Sequence, residues 1–247
     1  MQYALVNNIK TEPSKGLRGI CLGCGKTVLA KCGPLKIHHW AHTSIKDCDL
    51  WWEPETDWHR EWKNKFPAEF REVCFTDHLR GEVHRADVHT NKGVTIEFQN
   101  SPISTEELKS REAFYSKLLW IVNAKKFNIH FTTNIPNPDD PILNDFVMEG
   151  SLHVSYFKKD EIAVKTGDED RLYSFGCPEL SGLELSFNHR AFTWKNKHKV
   201  WLNTSTPIFL DLGDEFLYWL RERKQERARF WYVELVSKAR FISKYSK

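Results

Sequence analysis

The chain has 247 residues, 36 Lys/Arg against 33 Asp/Glu (formal charge +3), 40% hydrophobic residues and six cysteines. That length suits one large domain, or a domain plus a small module, with an ample core, and so small a charge does not by itself indicate a nucleic-acid partner. No apolar run approaches the ~20 residues of a membrane span, the first residues lack a signal-peptide pattern, and clustered cysteines without one favour the cytoplasm and metal binding over disulfides.

Gln2 to Val6 reads as an entry strand, followed by a polar loop to residue 19. Cys21-x2-Cys24 comes next, then fourteen residues, then His39-x2-His42. Thr27–Lys31 and Leu35–His39 read as short strands about Gly33-Pro34, a hairpin hung from the cysteine pair. Four such ligands in about twenty residues predict a structural Zn²⁺ held tetrahedrally by Cys21, Cys24, His39 and His42. Cys32, His38 and Cys48 compete for single positions. A module of about fifty residues needs a staple of this kind to hold together.

In the stretch 51–70, Trp58, Trp62 and Phe66 recur every four residues, which predicts an amphipathic helix ended or kinked at Pro67. His59 and Lys63 lie together at the edge of its apolar stripe. Two alternating runs, 84–89 and 94–99, then flank Asn91-Lys92-Gly93, a hairpin signal with Gly93 in the left-handed position of a three-residue loop. Ala86, Val88, Val94, Ile96 and Phe98 share one face. Arg85, Asp87, His89, Thr95, Glu97 and Gln99 share the other, with Asp87 directly opposite Glu97. Carboxylates roughly 5 Å apart across strands repel and share a proton or a cation. Mg²⁺, a hard cation taking oxygen ligands, is the direct answer.

Ser104 with Glu107 forms a capping box, and Ile103 with Leu108 a hydrophobic staple, so a helix begins there. It leads into Leu118–Val122, a buried-strand pattern; strand, helix, strand implies a crossover to a parallel strand. Beyond this, strands are expected at 127–133, 151–157, 161–165, 183–187 and 207–212, and helices at 216–220 and 229–245. Residues 194–201 interleave Lys195, Lys197 and Lys199 with Trp194 and Trp201, either a nucleic-acid contact or a hairpin with two packed Trp. From Arg221 onward nine Lys/Arg face three Glu, a basic tail that either follows a phosphate backbone or is the solvated face of a terminal helix. No glycine-rich phosphate loop is present.

The runs Arg85-Ala86-Asp87-Val88, Ile96-Glu97-Phe98-Gln99-Asn100-Ser101 and Arg111-Glu112-Ala113-Phe114-Tyr115 resemble the nuclease domain of the CoiA-like competence protein family, which is similar to the PD-(D/E)XK nuclease fold. His39-Trp40-Ala41-His42 is similar to the zinc-finger-like segment that precedes that domain. The resemblance implies that Asp87 and Glu97 are Mg²⁺ or Mn²⁺ ligands, with the Phe98 carbonyl a third oxygen. Gln99 then stands where the superfamily usually has Lys; it can orient water or bind a phosphoryl oxygen but cannot serve as a base. Trp58-His59 and Trp62-Lys63 match a family pattern that lines the active site, making His59 and Lys63 candidates for the base or a phosphate clamp. Glu72, on a first core strand at 71–75, is a further candidate acidic ligand.

Together these readings predict a mixed α/β (α+β) chain: a zinc-finger-like module at 1–50, a restriction-endonuclease-like PD-(D/E)XK core at 51–130, and a C-terminal extension at 131–247. The expected activity is metal-dependent hydrolysis of DNA in uptake, recombination or defence. Asp87, Glu97, Gln99, His59, Lys63 and Glu72 form the catalytic set, and Arg85, Arg111 and Lys195 contact DNA. RNA as substrate, a homodimer and a protein partner stay open. The other reading is a catalytically silent nucleic-acid-binding or adaptor protein on the same fold.

Overall fold

A computed structural model describes residues 1–43, 48–49, 51, 53–77, 81–151, 153–162, 171–195, 199–225 and 229–247. The expected strand at 161–165 lies largely outside them. The fold is mixed α/β and mostly sheet, and it divides into two compact units. One comprises Met1–Val122, Asn203–Thr206 and Ala239–Lys247; the other comprises Asn123–Leu202 and Pro207–Lys238.

The first unit opens with five short strands: β1 (Ala4–Val6), β2 (Ile9–Thr11), β3 (Arg18–Ile20), β4 (Thr27–Lys31) and β5 (His39–His42). They form an antiparallel sheet in the order β2-β1-β3-β4-β5. The strand after Gly33-Pro34 is 39–42 rather than 35–39. Lys31 pairs with His39, and a proline without an N–H cannot supply a ladder bond in the stretch between. Met1, Ala4, Cys21, Val28 and Trp40 form the buried core of this sheet.

Helix α1 (Asp57–Lys63) is shorter than the sequence pattern, because Thr56 caps its start, its hydroxyl accepting the His59 N–H, and Asn64 caps its end. Its stripe nonetheless continues through the turn after it. The rings of Trp58, Trp62 and Phe66 surround Phe98, with centroids 6.2, 5.7 and 6.2 Å away. Strands β6 (Arg71–Asp77), β7 (Glu82–His89) and β8 (Thr95–Gln99) follow, then α2 (Thr105–Phe114) and β9 (Leu118–Asn123). β6, β7 and β8 are antiparallel neighbours, and β9 returns parallel to β8. The hairpin has the expected register: Val88 faces Ile96 and His89 faces Thr95, and Gly93 turns at φ +72°. Ser104 caps α2 by accepting the Glu107 N–H. Unlike β7, β8 is buried along both faces, so Glu97 and Gln99 are inside the protein and not on a wetted surface.

The cysteine knuckle packs tightly on this second sheet. A Cβ placed on Gly23 would lie 2.5 Å from Val83 Cγ1 and 3.3 Å from Cys74 Sγ. Gly23→Ala is therefore expected to destabilise the protein by ~1–3 kcal/mol through overpacking. A lowered melting temperature with an unchanged metal content is the result that checks it.

The second unit contains β10 (Asn128–Pro136), β11 (Phe146–Glu149), β12 (Ser155–Lys158), β13 (Leu172–Tyr173), β14 (Leu185–Lys195), β15 (Ile208–Asp211), β16 (Phe216–Arg223) and β17 (Phe230–Ser237); helix α3 (Lys238–Tyr245) closes the chain. Its strands run in the orders β10-β14-β17-β16-β15 and β11-β12-β13. Of the helices expected at 216–220 and 229–245, the first and the second up to Ser237 are one long hairpin, pairing from Phe216 with Ser237 to Arg223 with Phe230, and the end of the second is α3. Unbroken apolar and aromatic runs fit either structure by periodicity; here aromatic and β-branched residues paired across strands favour the sheet. Two of the tail's nine cations are paired in consequence: Arg221 with Glu234 at 2.6 Å and Arg229 with Glu222 at 2.5 Å.

Candidate metal centres and active site

The N-terminal sheet brings Cys21, Cys24, His42 and Cys48 together, their ligand atoms all within 4.8 Å of one another. Among the described residues it is the one group of three or more such side chains close enough to share an ion. Cys21 Sγ lies 3.7 Å from Cys48 Sγ, and Cys24 Sγ lies 3.2 Å from His42 Nε2. Zn–S bonds of about 2.3 Å in a tetrahedron place sulfurs just under ~4 Å apart, so the donor set fits a structural metal such as zinc. Cys48 takes the position expected for His39. On a strand, residues three apart point to opposite faces, so His39 and His42 cannot converge. His39 instead places Nδ1 2.9 Å from the Ile37 carbonyl.

The second site is a pocket of about 50 Å³ whose walls include Asp49, Glu53, His59, Asp87, Glu97 and Phe98. That volume admits a cation with a water or two. It is built where the hairpin passes under α1. Asp87 on β7 accepts the Phe98 N–H at 3.0 Å. Glu97 on β8 accepts from Arg111 Nη1 at 3.1 Å, while its other oxygen, Oε1, is buried without a hydrogen-bond partner. Burial raises the Glu97 pKa well above the carboxylate range, and the Asp87 charge adds to it. Burial likewise raises Asp87, against the opposing pull of Lys63 and His59. Two carboxylates that both resist ionisation, one with an orphaned oxygen, suit a hard cation held by Asp87, Glu97 and the Phe98 carbonyl, with waters completing the shell.

Glu53, in the link before α1 and without any spacing signal in the sequence, organises the rim. Its Oε1 lies 2.6 Å from His59 Nε2, and its Oε2 accepts from Gln99 Nε2 at 3.3 Å and from the Ser101 hydroxyl. His59 Nε2 is also 2.9 Å from the Phe98 carbonyl. Burial depresses the His59 pKa, but the Glu53 hydrogen bond and the Asp87 charge outweigh it and raise it overall. His59 is thus held as a proton donor first. Gln99 Nε2 also reaches the Ser101 carbonyl at 3.1 Å.

Several of the expected site residues are held by protein partners. Lys63, read as a base or phosphate clamp, is buried between Glu55 at 2.6 Å and Glu72 at 2.8 Å, and these carboxylates raise its pKa despite the burial; it stays charged and engaged. Glu72, read as a metal ligand, has both oxygens occupied. Oε1 accepts from Lys63 and the Gln2 N–H (2.7 Å), Oε2 from the Tyr3 N–H (3.0 Å), so it is a strut to the first strand. Its backbone takes φ +51°, a strained conformation outside glycine. Arg111, read as a DNA contact, is buried: Nη2 donates to the Trp51 carbonyl at 2.7 Å and the guanidinium lies over the Trp51 and Trp120 rings. It holds Glu97. Arg85, also read as a DNA contact, lines the pocket with its charge facing Glu72 and Asp49. Lys195 is exposed at the end of β14.

Asp49 was not singled out by sequence. It follows the metal-cluster residue Cys48 directly and accepts N–H bonds from Trp51 (3.0 Å) and Arg85 (3.3 Å).

The Glu72 strut gives a stability prediction. Burial alone would raise its pKa, but Lys63 outweighs burial and holds it well below the ordinary 4.5. A depressed carboxylate stabilises the fold above its unfolded pKa and loses that contribution as pH falls toward the folded one. Glu72→Gln is expected to cost ~3 kcal/mol at pH 7, because it strips one partner from the buried Lys63. In urea unfolding, the gap from wild type should narrow as the pH is lowered below about 4.5.

Residues 10–50 match the family model described as Competence protein CoiA, N-terminal domain, and residues 78–161 match that of Competence protein CoiA, nuclease-like domain. The second match spans Asp87, Glu97 and Gln99 and leaves out α1. No curated protein and no solved structure matches the chain. Among the described residues no helix is long and apolar enough to cross a membrane.

Proposed function

We propose that this chain, which belongs to the CoiA-like competence protein family, hydrolyses DNA phosphodiester bonds with Mg²⁺ or Mn²⁺ at Asp87 and Glu97. The observation that carries this reading is the buried pair itself: two carboxylates with raised pKa values and an orphaned Glu97 oxygen in a small polar pocket. A bound divalent cation would polarise the scissile phosphate and lower the pKa of an attacking water. Arg111 fixes the Glu97 carboxylate, and Glu53 fixes His59 and Gln99 at the rim. In this reading His59 would give up its Nε2 proton to the leaving oxygen in exchange for its bond to Glu53, and Gln99 would orient rather than deprotonate the water. None of the six cysteines is in a disulfide, which fits a reducing compartment such as the cytoplasm.

The silent adaptor is the alternative, favoured by the lack of a lysine on β8. Incubation of plasmid and single-stranded DNA with Mg²⁺ or Mn²⁺ separates the two. Cutting that requires the cation supports the nuclease, and binding without cutting under every condition supports the adaptor. Parallel RNA substrates settle the polymer.

A further inference from the structure

The outer face of the N-terminal sheet belongs neither to the metal cluster nor to the pocket. Alternation turns Val28, Ala30, Trp40 and His42 inward and leaves Arg18, Leu29, Lys31, His39 and Ala41 on the opposite face. The β1–β2 end of that face is taken, since Lys10 Nζ donates to the carbonyls of Ala68 and Arg71. Its β3–β5 end is open: Arg18 and Lys31 are exposed, Ile20 is 42% exposed, and Leu35 in the turn is 94% exposed. Beside the turn lies an open hollow of about 550 Å³ lined by Lys31, Pro34, Leu35, Lys36 and His39.

Charge is what identifies the occupant. Residues 13–43 contain five Lys/Arg and no Asp or Glu, whereas the rest of the chain carries 31 Lys/Arg against 33 acids. This small sheet and its turns therefore carry positive charge with no acid in the same stretch to offset it. We propose that the β3–β5 face is a docking surface for duplex DNA, on which Arg18, Lys31 and Lys36 meet backbone phosphates and the turn carrying Leu35 enters a groove. Lysine and arginine contacts to phosphate release counterions and supply sequence-independent affinity. A two-stranded ribbon fits the major groove, where an apolar side chain can meet thymine methyls. The identity of the polymer rests on the nuclease reading, and the face gives that site a place where its substrate is held.

The test is the triple variant R18E/K31E/K36E in the full chain, compared with wild type on a short fluorescent duplex with Ca²⁺ in place of Mg²⁺, across a salt series. The expected result is an affinity loss of about ten-fold or more and a salt slope smaller by about three, with zinc content and melting temperature unchanged. In cleavage assays KM rises while kcat holds. Unchanged affinity and slope overturn the proposal, and that outcome is expected if the face docks an acidic protein instead. The nuclease reading fails separately. If wild type does not cut yet the variant loses binding, the docking face stands and hydrolysis falls. If wild type cuts and the variant binds as well as wild type, the reverse holds.

Discussion

Asp87→Asn is expected to reduce cation-dependent DNA cleavage by about 10³-fold or more while leaving DNA affinity intact. The substitution keeps the volume and an oxygen that can accept the Phe98 N–H, now 3.0 Å from the carboxylate, and it removes one of two charges that a divalent cation would bridge. Loss of ~4 kcal/mol of transition-state stabilisation corresponds to about three orders of magnitude. The variant should also be more stable than wild type in metal-free buffer near pH 8. Glu97 is raised by burial and by Asp87, so removing the neighbouring charge relieves a repulsion that the Arg111 pair with Glu97 offsets only in part. A gain of ~1 kcal/mol would lift the melting temperature by about 2–4 °C. An inactive variant that melts higher distinguishes a functional pair from a structural one; a variant that cuts normally removes the proposed mechanism.

Removing the structural metal is expected to have the largest effect on stability. Small zinc modules draw their folding free energy from metal binding, ~10 kcal/mol or more in isolated peptides. Among the described residues, the buried core of the N-terminal sheet consists of five. Even ~4 kcal/mol lost on chelation would lower the melting temperature by about 10 °C. The ligand set can be ranked by substitution: Cys48→Ser should lose zinc, measured by elemental analysis, and His39→Ala should retain it. The opposite pattern would mean that His39 and not Cys48 completes the tetrahedron.

That contrast shows where the sequence was readable. The Asn91–Gly93 hairpin, the Ser104 cap and the return of β9 beside β8 depend on local chemistry: a left-handed glycine, a hydroxyl three residues before a glutamate, an apolar run of strand length. Each is written within a few consecutive residues. The metal ligands were half legible, because the cysteine knuckle is local while the second pair depends on the element that carries it. An H-x2-H pair converges on a helix and diverges on a strand, and only the fold shows that 39–42 is β5. Cys48 and Glu53 lie in links with no periodicity, so their positions come from tertiary closure alone. Lys63 and Glu72 line the pocket as an ion pair, a pairing that sequence spacing does not reveal. The β16–β17 hairpin was misread as helix because its aromatic runs lack the polar alternation that marks a half-exposed strand.

One adjacency in the first unit bears on how the molecule matures. Cys48 is in the metal cluster, and the very next residue, Asp49, holds the Trp51 N–H; the Trp51 carbonyl in turn anchors the arginine that aims Glu97. A newly made chain that has not yet acquired its thiolate-bound ion lacks a fixed point at one end of this relay. Such a precursor would hold its second site unfinished, and the supply of one metal would license the other, an order of assembly that would keep a nuclease-like domain idle until it is complete.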